Sequence, residues 1–309
     1  MQLIRGFRHL KPEHQGCVAT IGNFDGVHLG HQAVFKALNQ QAKKFNCPSL
    51  VITFEPQPKE YFAPKQAPAR ITRLREKLDA IQKNQIDRVL LLEFNQSLAQ
   101  LSADQFIQKI LIDGLNIKHL YVGDDFCFGA QRQGNYALLQ KAGSQFNFTV
   151  ASLDTIQQNQ QRISSSAIRQ YLAQGDLIKA QQLLGRPYKI CGRIVHGDAR
   201  GRTIGFPTAN INLKKRISPL KGVYAVKIWG LQKQALLGVA NLGTRPTVKG
   251  KTKYLLETHI FDFNQEIYGQ HLGIEFIKRI RDEKKFNDFN ELKQQIERDS
   301  LLARRVLSD

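Results

Sequence analysis

The chain has 309 residues, of which 42% are hydrophobic and 23% are charged, the proportions of a folded globular protein. This length accommodates two domains of ordinary size. The sequence contains no apolar run long enough to span a membrane, and its first residues lack the apolar segment of a signal peptide.

The charge of the chain is strongly positive, with 45 lysines and arginines against 26 aspartates and glutamates. The basic excess is spread over both halves, and its short clusters are not interleaved with aromatic residues as in a surface that binds single strands. This distribution favours small anionic substrates such as nucleotides over nucleic acid. The cysteines are scattered without a Cys-x-x-Cys pair, so neither a disulfide framework nor a metal knuckle is predicted, and a reducing cytoplasm is expected.

Strand and helix patterns alternate from residue 1 to about residue 185. Helical patterns separate several short apolar runs, which lie at residues 17–21, 50–54, 89–94, 119–122 and 148–153. This alternation predicts βαβ units and a parallel sheet, in which ligands bind at the carboxyl ends of the strands near a change in strand order. The polar stretch at residues 157–162 is predicted to be a loop.

The segment Gly-Asn-Phe-Asp-Gly-Val-His-Leu-Gly-His at residues 22–31 connects the first of these strands to a helical pattern. Glycines let the backbone approach a ligand, and the start of a helix offers unpaired N–H groups to an anion. His28 and His31 are three residues apart and fall on one face of a helix. We therefore predict a phosphate-binding turn. A tight turn with two surface histidines is the alternative, and a zinc site is disfavoured because no third ligand stands at suitable spacing.

Two later stretches carry polar residues at positions where they can join this turn. Residues 121–129 follow a predicted strand and contain Asp125 in a polar loop. Ile-Ser-Ser-Ser-Ala-Ile-Arg at residues 163–169 places Ser165 at a helix start and Arg169 one turn further. Serines before a helix are commonly simple N-caps, so that alternative stays open. The His-x-Gly-His of the turn resembles the signature of nucleotidylyltransferases, and the three stretches together would supply the donors and the cation that nucleotidyl transfer requires.

The period of the pattern changes to two after residues 185–187. Alternating or apolar strands follow at residues 224–229, 237–239, 255–260 and 274–276, and a helical pattern covers about 289–306. This half is predicted to be a small antiparallel β-barrel with a closing helix, whose apolar stripe would contain Leu292, Ile296, Leu301 and Leu302. We place the domain boundary between residues 1–185 and residues 186–309.

The second half contains its own motif, Gly-Arg-Thr-Ile-Gly-Phe-Pro-Thr-Ala-Asn at residues 201–210. Gly201 and Gly205 let a loop close over phosphates. Thr208 and Asn210 are two apart and project to one side of a strand, with oxygens suited to Mg²⁺.

Glu257 stands within the apolar stretch at residues 254–260, where an unpaired carboxylate is costly. A place on the solvated face of the barrel is the alternative to a catalytic role. His259, two residues further on the same face, is expected to be structural.

These motifs together resemble those of the bacterial bifunctional riboflavin kinase/FAD synthetase family. The family pattern Gly-x-Phe-Asp-Gly-x-His-x-Gly-His matches residues 22–31, and Thr-Phe-x-Pro-x-Pro matches residues 53–58. Ile-Ser-Ser-Thr-x-Ile-Arg matches residues 163–169 except at Ser166. Residues 201–210 and later stretches resemble the flavokinase module. Gln57 and Cys127 stand where many members have His and Arg, and no role is assigned to them.

For the first domain the resemblance implies a Rossmann-type nucleotidylyltransferase fold that transfers the adenylyl group of ATP to FMN and releases pyrophosphate. It implies that one set of residues binds ATP, namely Gly22, Asn23, Phe24, Asp25, His28, His31, Asp125, Ser165 and Arg169. His28 and His31 would contact the phosphates and act in catalysis with Arg169, which together with Ser165 would hold the β- and γ-phosphates.

For the second domain the resemblance implies a riboflavin kinase barrel that phosphorylates riboflavin to FMN with ATP. ATP would be bound by Gly201, Gly205, Thr208 and Asn210. Thr208 and Asn210 would hold Mg²⁺. Glu257 would be the catalytic base on the riboflavin 5′-hydroxyl.

Two alternatives remain open at this point. A nucleotidylyltransferase acting on pantetheine phosphate or nicotinamide mononucleotide leaves the second domain unexplained. A basic nucleic-acid-binding protein with a vestigial nucleotide site is the other. The expected partners are riboflavin, FMN and ATP, without specific nucleic acid or membrane, and an oligomer is allowed but not required.

Overall fold

The computed structural model describes residues 1–123, 125–152, 157–158, 161–196, 205–213, 218–246, 252–286 and 288–308. The chain divides into two compact units. One unit consists of Met1–Pro68 and Arg73–Ile163, and the other of Ala69–Thr72 and Ser164–Asp309. No helix within the described residues is both long enough and apolar enough to cross a membrane.

The first unit is built on a six-stranded parallel sheet in the order β1-β4-β3-β2-β5-β6. Its strands are β1 Gln2–Arg5, β2 Val18–Ile21, β3 Ser49–Glu55, β4 Arg88–Glu93, β5 His119–Val122 and β6 Thr149–Ser152. The predicted parallel sheet is therefore confirmed. Strand β1 was not predicted, because only Ile4 among its four residues is buried and the pattern is too short to stand out.

Helices connect the strands of this sheet. They are α1 Leu29–Lys44, α2 Pro58–Phe62, α3 Leu74–Lys83, α4 Gln96–Ala99, α5 Ala103–Phe106, which continues as the π-helix Ile107–Ile112, and α6 Tyr136–Phe146. Short 3₁₀ turns lie at Phe7–His9, Pro12–His14 and Ala130–Arg132. Alternate residues of β3 enter two separate cores, Leu50 and Ile52 on one face and Val51 on the other. Burial of both faces explains why the strands are continuous apolar runs.

The order of the strands changes direction at β2. Its neighbour β3 follows it directly along the chain, whereas the neighbour on its other side is β5. The loops that follow β2 and β5 therefore leave the sheet side by side at the carboxyl ends of the strands, the place where open α/β sheets bind ligands.

The stretch at residues 157–162 corrects one prediction. A loop was expected there, but two short antiparallel strands, β7 Gln157–Gln158 and β8 Gln161–Arg162, pair with each other. These polar residues show no hydrophobic alternation, so the sequence pattern does not predict the pairing of the two strands.

The long segment of the second unit begins with α7 Ser165–Gln174 and α8 Leu177–Leu184. A closed antiparallel barrel follows, in the order β10-β13-β12-β11-β14-β9. Its strands are β9 Lys189–Val195, β10 Thr208–Asn212, β11 Gly222–Trp229, β12 Leu236–Pro246, β13 Thr252–Ile260 and β14 His271–Arg281. Helix α9, Phe289–Ser308, ends the chain. The predicted barrel with a closing helix is confirmed.

The packed face of α9 differs from the predicted stripe. Ala303 is fully buried against Val223, Ala225 and Val239 of the barrel. Leu301 and Leu302 are 70% and 43% exposed, so their inclusion in the stripe was wrong. Each helical residue advances by about 100°. Positions four residues apart, such as 299 and 303, therefore share the face toward the barrel, whereas Leu301 and Leu302 between them turn away.

Candidate functional sites

The turn at residues 22–31 joins the end of β2 to the start of α1. His28 is the N-cap of α1, and its Nδ1 accepts a hydrogen bond from the backbone N–H of His31 at 3.3 Å. The two imidazole rings stack with 3.6 Å between their centroids. His28 thus occupies the position that Ser or Asp usually fills, and this capping bond holds both rings at the first turn of α1.

The backbone of this turn is unusual. Phe24 and Val27 have φ values of 46° and 42°, in the left-handed region that side chains rarely adopt. A Cβ at Gly22 would lie 3.0 Å from the ring of Phe24, and a Cβ at Gly30 would lie 3.1 Å from the ring of His28. The two glycines therefore let these rings pack directly on the backbone. Strained residues of this kind are found disproportionately at functional sites.

Contacts with the core of the first unit fix the conformation of the turn at residues 22–31. Phe24 packs against the rings of Phe35 and His31 at 5.0 and 5.2 Å. The hydroxyl of Thr53 donates to the carbonyl of Asn23 at 3.4 Å. Asp25 is buried, with 2% of its surface exposed. The turn is therefore a fixed part of the sheet edge and not a loose surface loop.

Asp125 lies on the loop after β5, which leaves the sheet beside the loop after β2. Its side chain is exposed, and a Cβ at Gly123 would lie 3.3 Å from its Oδ1. Cys127 is also exposed and its Sγ makes a weak contact of 3.7 Å with the carbonyl of Asp125. Strand order thus brings Asp125 and the turn to the same edge of the sheet.

Ser165 and Arg169 belong to the second unit, on α7. The N-cap is Ser164, whose Oγ accepts from the N–H of Ala167 at 3.2 Å. The capping role that was the alternative explanation for these serines therefore falls on Ser164, and Ser165 is the first helical residue. Arg169 donates from Nε to the carbonyl of Ala69 at 2.7 Å, which fixes the orientation of its guanidinium group.

Strand register brings the polar residues of the barrel together. Asn210 on β10 stands opposite Glu257 on β13, which in turn stands opposite Asn241 on β12. In the same way Thr208 stands opposite His259. Directly opposed residues of antiparallel strands share one face of the sheet. Thr208, Asn210 and Glu257 therefore lie on a common face, as predicted for the first two. Gly201 lies outside the described residues.

Asn210 has the features of a ligand-binding residue. Only 5% of its surface is exposed, and its Nδ2 donates to the carbonyl of Thr208 at 3.1 Å. Its Oδ1 is buried and has no hydrogen-bond donor among the described residues. A buried acceptor without a donor costs about 1–3 kcal/mol. An amide oxygen of this kind two residues from a threonine hydroxyl fits the oxygen ligands that Mg²⁺ prefers.

A cavity of about 420 Å³ covers this face of the barrel. Its polar side contains Thr208, Asn241, Glu257 and His259, and its apolar side is formed by Phe286, Phe289, Leu292 and Ile296. Glu257 is therefore not simply solvated but lies in a cavity beneath α9. The ring of His259 is 2.9 Å from the carbonyl of Pro207 through Nδ1, which agrees with the expected structural role. Gly205 has a φ of +85°, as a tight turn before β10 requires.

Two further residues of this cavity were not predicted. Arg281 at the end of β14 donates from Nε and Nη2 to the carboxylate of Asp299 on α9, at 3.0 and 2.8 Å. Gln295 donates to the same carboxylate at 2.9 Å. Asp299 is only 4% exposed. The network ties α9 to the barrel, and the separation of 18 positions between Arg281 and Asp299 leaves no local pattern from which it could be predicted.

Metal ligands of the zinc type and reactive thiols are not prominent in the described part of the chain. No group of three or more His, Cys, Asp or Glu side chains there is arranged to hold a metal ion. Burial raises the pKa of the Cys17 thiol, next to β2, to about 12. This thiol remains protonated at neutral pH and serves in packing.

Each half of the chain matches the profile of a known protein family. The FAD synthetase family profile matches residues 10–167, and the riboflavin kinase family profile matches residues 184–307. Curated proteins named bifunctional riboflavin kinase/FMN adenylyltransferase are 51% identical, one from Haemophilus influenzae over 97% of this chain and 97% of its own, and one from Escherichia coli K12 over 98% and 97%.

A solved structure gives the same result for the fold. The crystal structure of a Streptococcus pneumoniae protein named macrolide-efflux protein superposes with a TM-score of 0.80 at 32% identity, covering 98% of this chain and 99% of that one. The activity in that protein's name is not transferred to this chain. The profile matches and the full-length relatives agree with each other: the chain belongs to the bifunctional riboflavin kinase/FMN adenylyltransferase family.

Proposed function

We propose that the residues described above divide the two reactions of this family between two chemically distinct sites. The turn at residues 22–31 would serve FMN adenylylation, and the cavity that contains Glu257 would serve riboflavin phosphorylation. One observation carries this division. The stacked histidines lie at the start of α1 in the first unit, whereas Asn210 and Glu257 face each other on the barrel of the second.

In the adenylylation reaction an oxygen of the FMN phosphate attacks the α-phosphorus of ATP. The new bond joins the two phosphates of FAD while the bond from the α-phosphorus to the bridging oxygen breaks, and pyrophosphate leaves with that oxygen. The turn from Gly22 to Asp25 would hold ATP, with Asp125 on the neighbouring loop. The N-terminus of α1 would stabilise charge on the phosphates, which His28 and His31 would contact.

Ser165 and Arg169 would hold the β- and γ-phosphates, so that negative charge developing on pyrophosphate meets a cation. No covalent intermediate with the enzyme is needed. Catalysis in this proposal comes from positioning and from charge stabilisation.

In the kinase reaction the 5′-hydroxyl oxygen of riboflavin attacks the γ-phosphorus of ATP and ADP leaves. Glu257 would accept the proton of that hydroxyl. The apolar wall formed by Phe286, Phe289 and Leu292 suits the flat ring system of a flavin. Gly201 and Gly205 would contribute to binding the phosphates of ATP.

Thr208 and Asn210 would hold Mg²⁺, because the orphaned Oδ1 of Asn210 needs an electropositive partner. When bound, the ion would neutralise phosphate charge. We further propose that the enzyme works in the cytoplasm, where ATP is supplied, with riboflavin, FMN and ATP as its partners. Specific nucleic acid or a membrane is not required.

The experiment that tests this assignment is product analysis with the purified chain. Riboflavin, ATP and Mg²⁺ should yield FMN and then FAD, and FMN with ATP should yield FAD and pyrophosphate. Omitting Mg²⁺ should suppress both products. Pantetheine phosphate and nicotinamide mononucleotide serve as competing acceptors. Their adenylylation in preference to FMN would contradict the proposal, as would salt-resistant, sequence-specific retention of nucleic acid in a filter-binding assay.

A further inference from the structure

Helix α3 buries a lysine. Lys77 has no exposed surface, and it shares the buried face of the helix with Ala80 and Ile81 at spacings of three and four residues. Lysine is almost never fully buried unless its ammonium group is paired, because removing the charge from water is costly. A lysine at a core position therefore calls for an explanation beyond packing.

The ammonium group of Lys77 reaches the edge of the sheet that carries the phosphate-binding turn. Its Nζ donates to Oγ1 of Thr53 at 3.3 Å, and Thr53 is also fully buried. The same hydroxyl lies 3.4 Å from the carbonyl of Asn23 and donates to it. A hydroxyl has one proton, so accepting from Lys77 orients that proton toward Asn23.

Thr53 stands at the point where the parallel ladder continues into the turn. Ile21 and Ile52 are the last paired residues of β2 and β3, and the N–H of Gly22 donates to the carbonyl of Ile52 at 3.1 Å. The side-chain bond from Thr53 to Asn23 adds one more contact between β3 and the turn, beyond the end of this ladder. Directly beyond it, the backbone enters the left-handed conformations of Phe24 and Val27, which need support from their surroundings.

We propose that Lys77 is a positioning residue for FMN adenylylation. Acting through Thr53, its ammonium group holds the carbonyl of Asn23 and so keeps the turn at residues 22–31 in its phosphate-binding conformation. A hydroxyl that accepts from a cation is also a stronger donor than one that does not, so the charge strengthens the bond to Asn23. The inference rests on the proposed assignment of this turn to adenylylation.

The inference is tested by removing the charge of Lys77 in the full-length chain. FMN adenylylation and riboflavin phosphorylation are then measured on one preparation. Lys77→Met should lower kcat/KM for FMN adenylylation by about 10- to 100-fold, the cost of a misplaced catalytic group. Riboflavin phosphorylation should stay unchanged. Lys77→Arg should restore part of the lost rate, and Lys83→Met, which removes an exposed lysine of the same helix, should have no effect.

Thermal unfolding separates positioning from a purely structural role. Removing one partner of a buried polar contact destabilises a protein, so the unfolding midpoint of Lys77→Met should fall. Both activities are therefore compared well below that midpoint, where adenylylation should be impaired and riboflavin phosphorylation retained. A lowered midpoint with both activities lost in proportion would overturn the inference.

The Thr53 hydroxyl provides a second, independent arm. Thr53→Val removes the hydroxyl that connects Lys77 to Asn23 and should impair adenylylation. Thr53→Ser keeps the hydroxyl and should retain adenylylation. Normal adenylylation in both Lys77→Met and Thr53→Val would overturn the inference. His28→Ala serves as the reference: if it too were fully active, the assignment of the turn would fail, but if only His28→Ala were inactive, the role of Lys77 alone would fail.

Discussion

His28 accepts the backbone N–H of His31 through Nδ1 while the rings of the two residues stack at 3.6 Å. Because Nδ1 is the acceptor, the proton of the neutral His28 ring lies on Nε2. His28 thus caps the helix through Nδ1 and keeps Nε2 as a hydrogen-bond donor. The capping role of His28 can therefore be separated by mutation from the phosphate-binding role that we propose for it.

His28→Ala and His31→Ala should stop FAD formation and let FMN accumulate from riboflavin. Loss of a donor that stabilises developing charge costs about 10²–10³ in rate. His28→Asn keeps a capping side chain but lacks the Nε2 donor, so it should fold normally and still fail to make FAD. Chromatography of the flavins measures both products, and His9→Ala, at an exposed histidine, is the control. Disappearance of both products with the fold intact would contradict two separate sites.

Glu257→Gln preserves the shape of the side chain and removes the carboxylate. Riboflavin phosphorylation should fall by about 10²-fold or more if Glu257 accepts the proton of the hydroxyl. Adenylylation of added FMN should continue at the normal rate, which provides an internal control. Normal phosphorylation of riboflavin by this variant would mean that Glu257 is only a structural residue of the cavity wall.

Asn210→Leu should raise the Mg²⁺ concentration needed for riboflavin phosphorylation, because it replaces the buried Oδ1 by an apolar group. The fold should tolerate the change, since the orphaned acceptor is itself costly. Titration of activity with Mg²⁺ measures the effect. Asn212→Ala, at an exposed position of the same strand, should leave the titration curve unaltered. Equal Mg²⁺ curves for Asn210→Leu and the unmodified chain would argue against a metal ligand here.

Asp299→Asn should destabilise the second unit, because it leaves the guanidinium of Arg281 without its carboxylate. Breaking a buried ion pair of this kind costs about 3 kcal/mol. The KM for riboflavin should rise as α9 loosens over the cavity. Denaturant unfolding and kinase assays measure the two effects. The exposed pair of Asp262 and Arg304 offers a matched control, and Asp262→Asn should change neither quantity measurably. Equal behaviour of the two variants would contradict the role given to Asp299.

The fragment of residues 186–309 contains all six barrel strands and α9. It should therefore fold alone, convert riboflavin to FMN and make no FAD. It lacks the hydrogen bond from Arg279 to the carbonyl of Gln174 and the packing of Arg279 on Gly175. The longer fragment of residues 164–309 keeps both contacts and should be more stable in thermal unfolding. A folded short fragment without kinase activity would mean that the kinase site needs residues before 186.

The motifs of both sites were predictable from the sequence because each lies on one continuous stretch. The turn at residues 22–31 is set by local chemistry, in which glycines permit the backbone path and a histidine caps the helix that follows. The change from alternating strands and helices to a period of two was equally local. It predicted the parallel sheet and the barrel, which the structure confirms.

Contacts between distant parts of the chain were decided only by the tertiary structure. Lys77 meets Thr53 because α3 packs over β3, and Arg281 meets Asp299 because α9 returns across the barrel. Asn210 faces Glu257 only in the observed register, since a slip of one residue would turn one of them to the other side of the sheet. The sequence by itself determined the elements and motifs, because periodicity and turn chemistry act between neighbours. The contact partner of a side chain, the register of its strand and its burial depend on how the elements pack. These properties are set by segments that lie far apart along the chain.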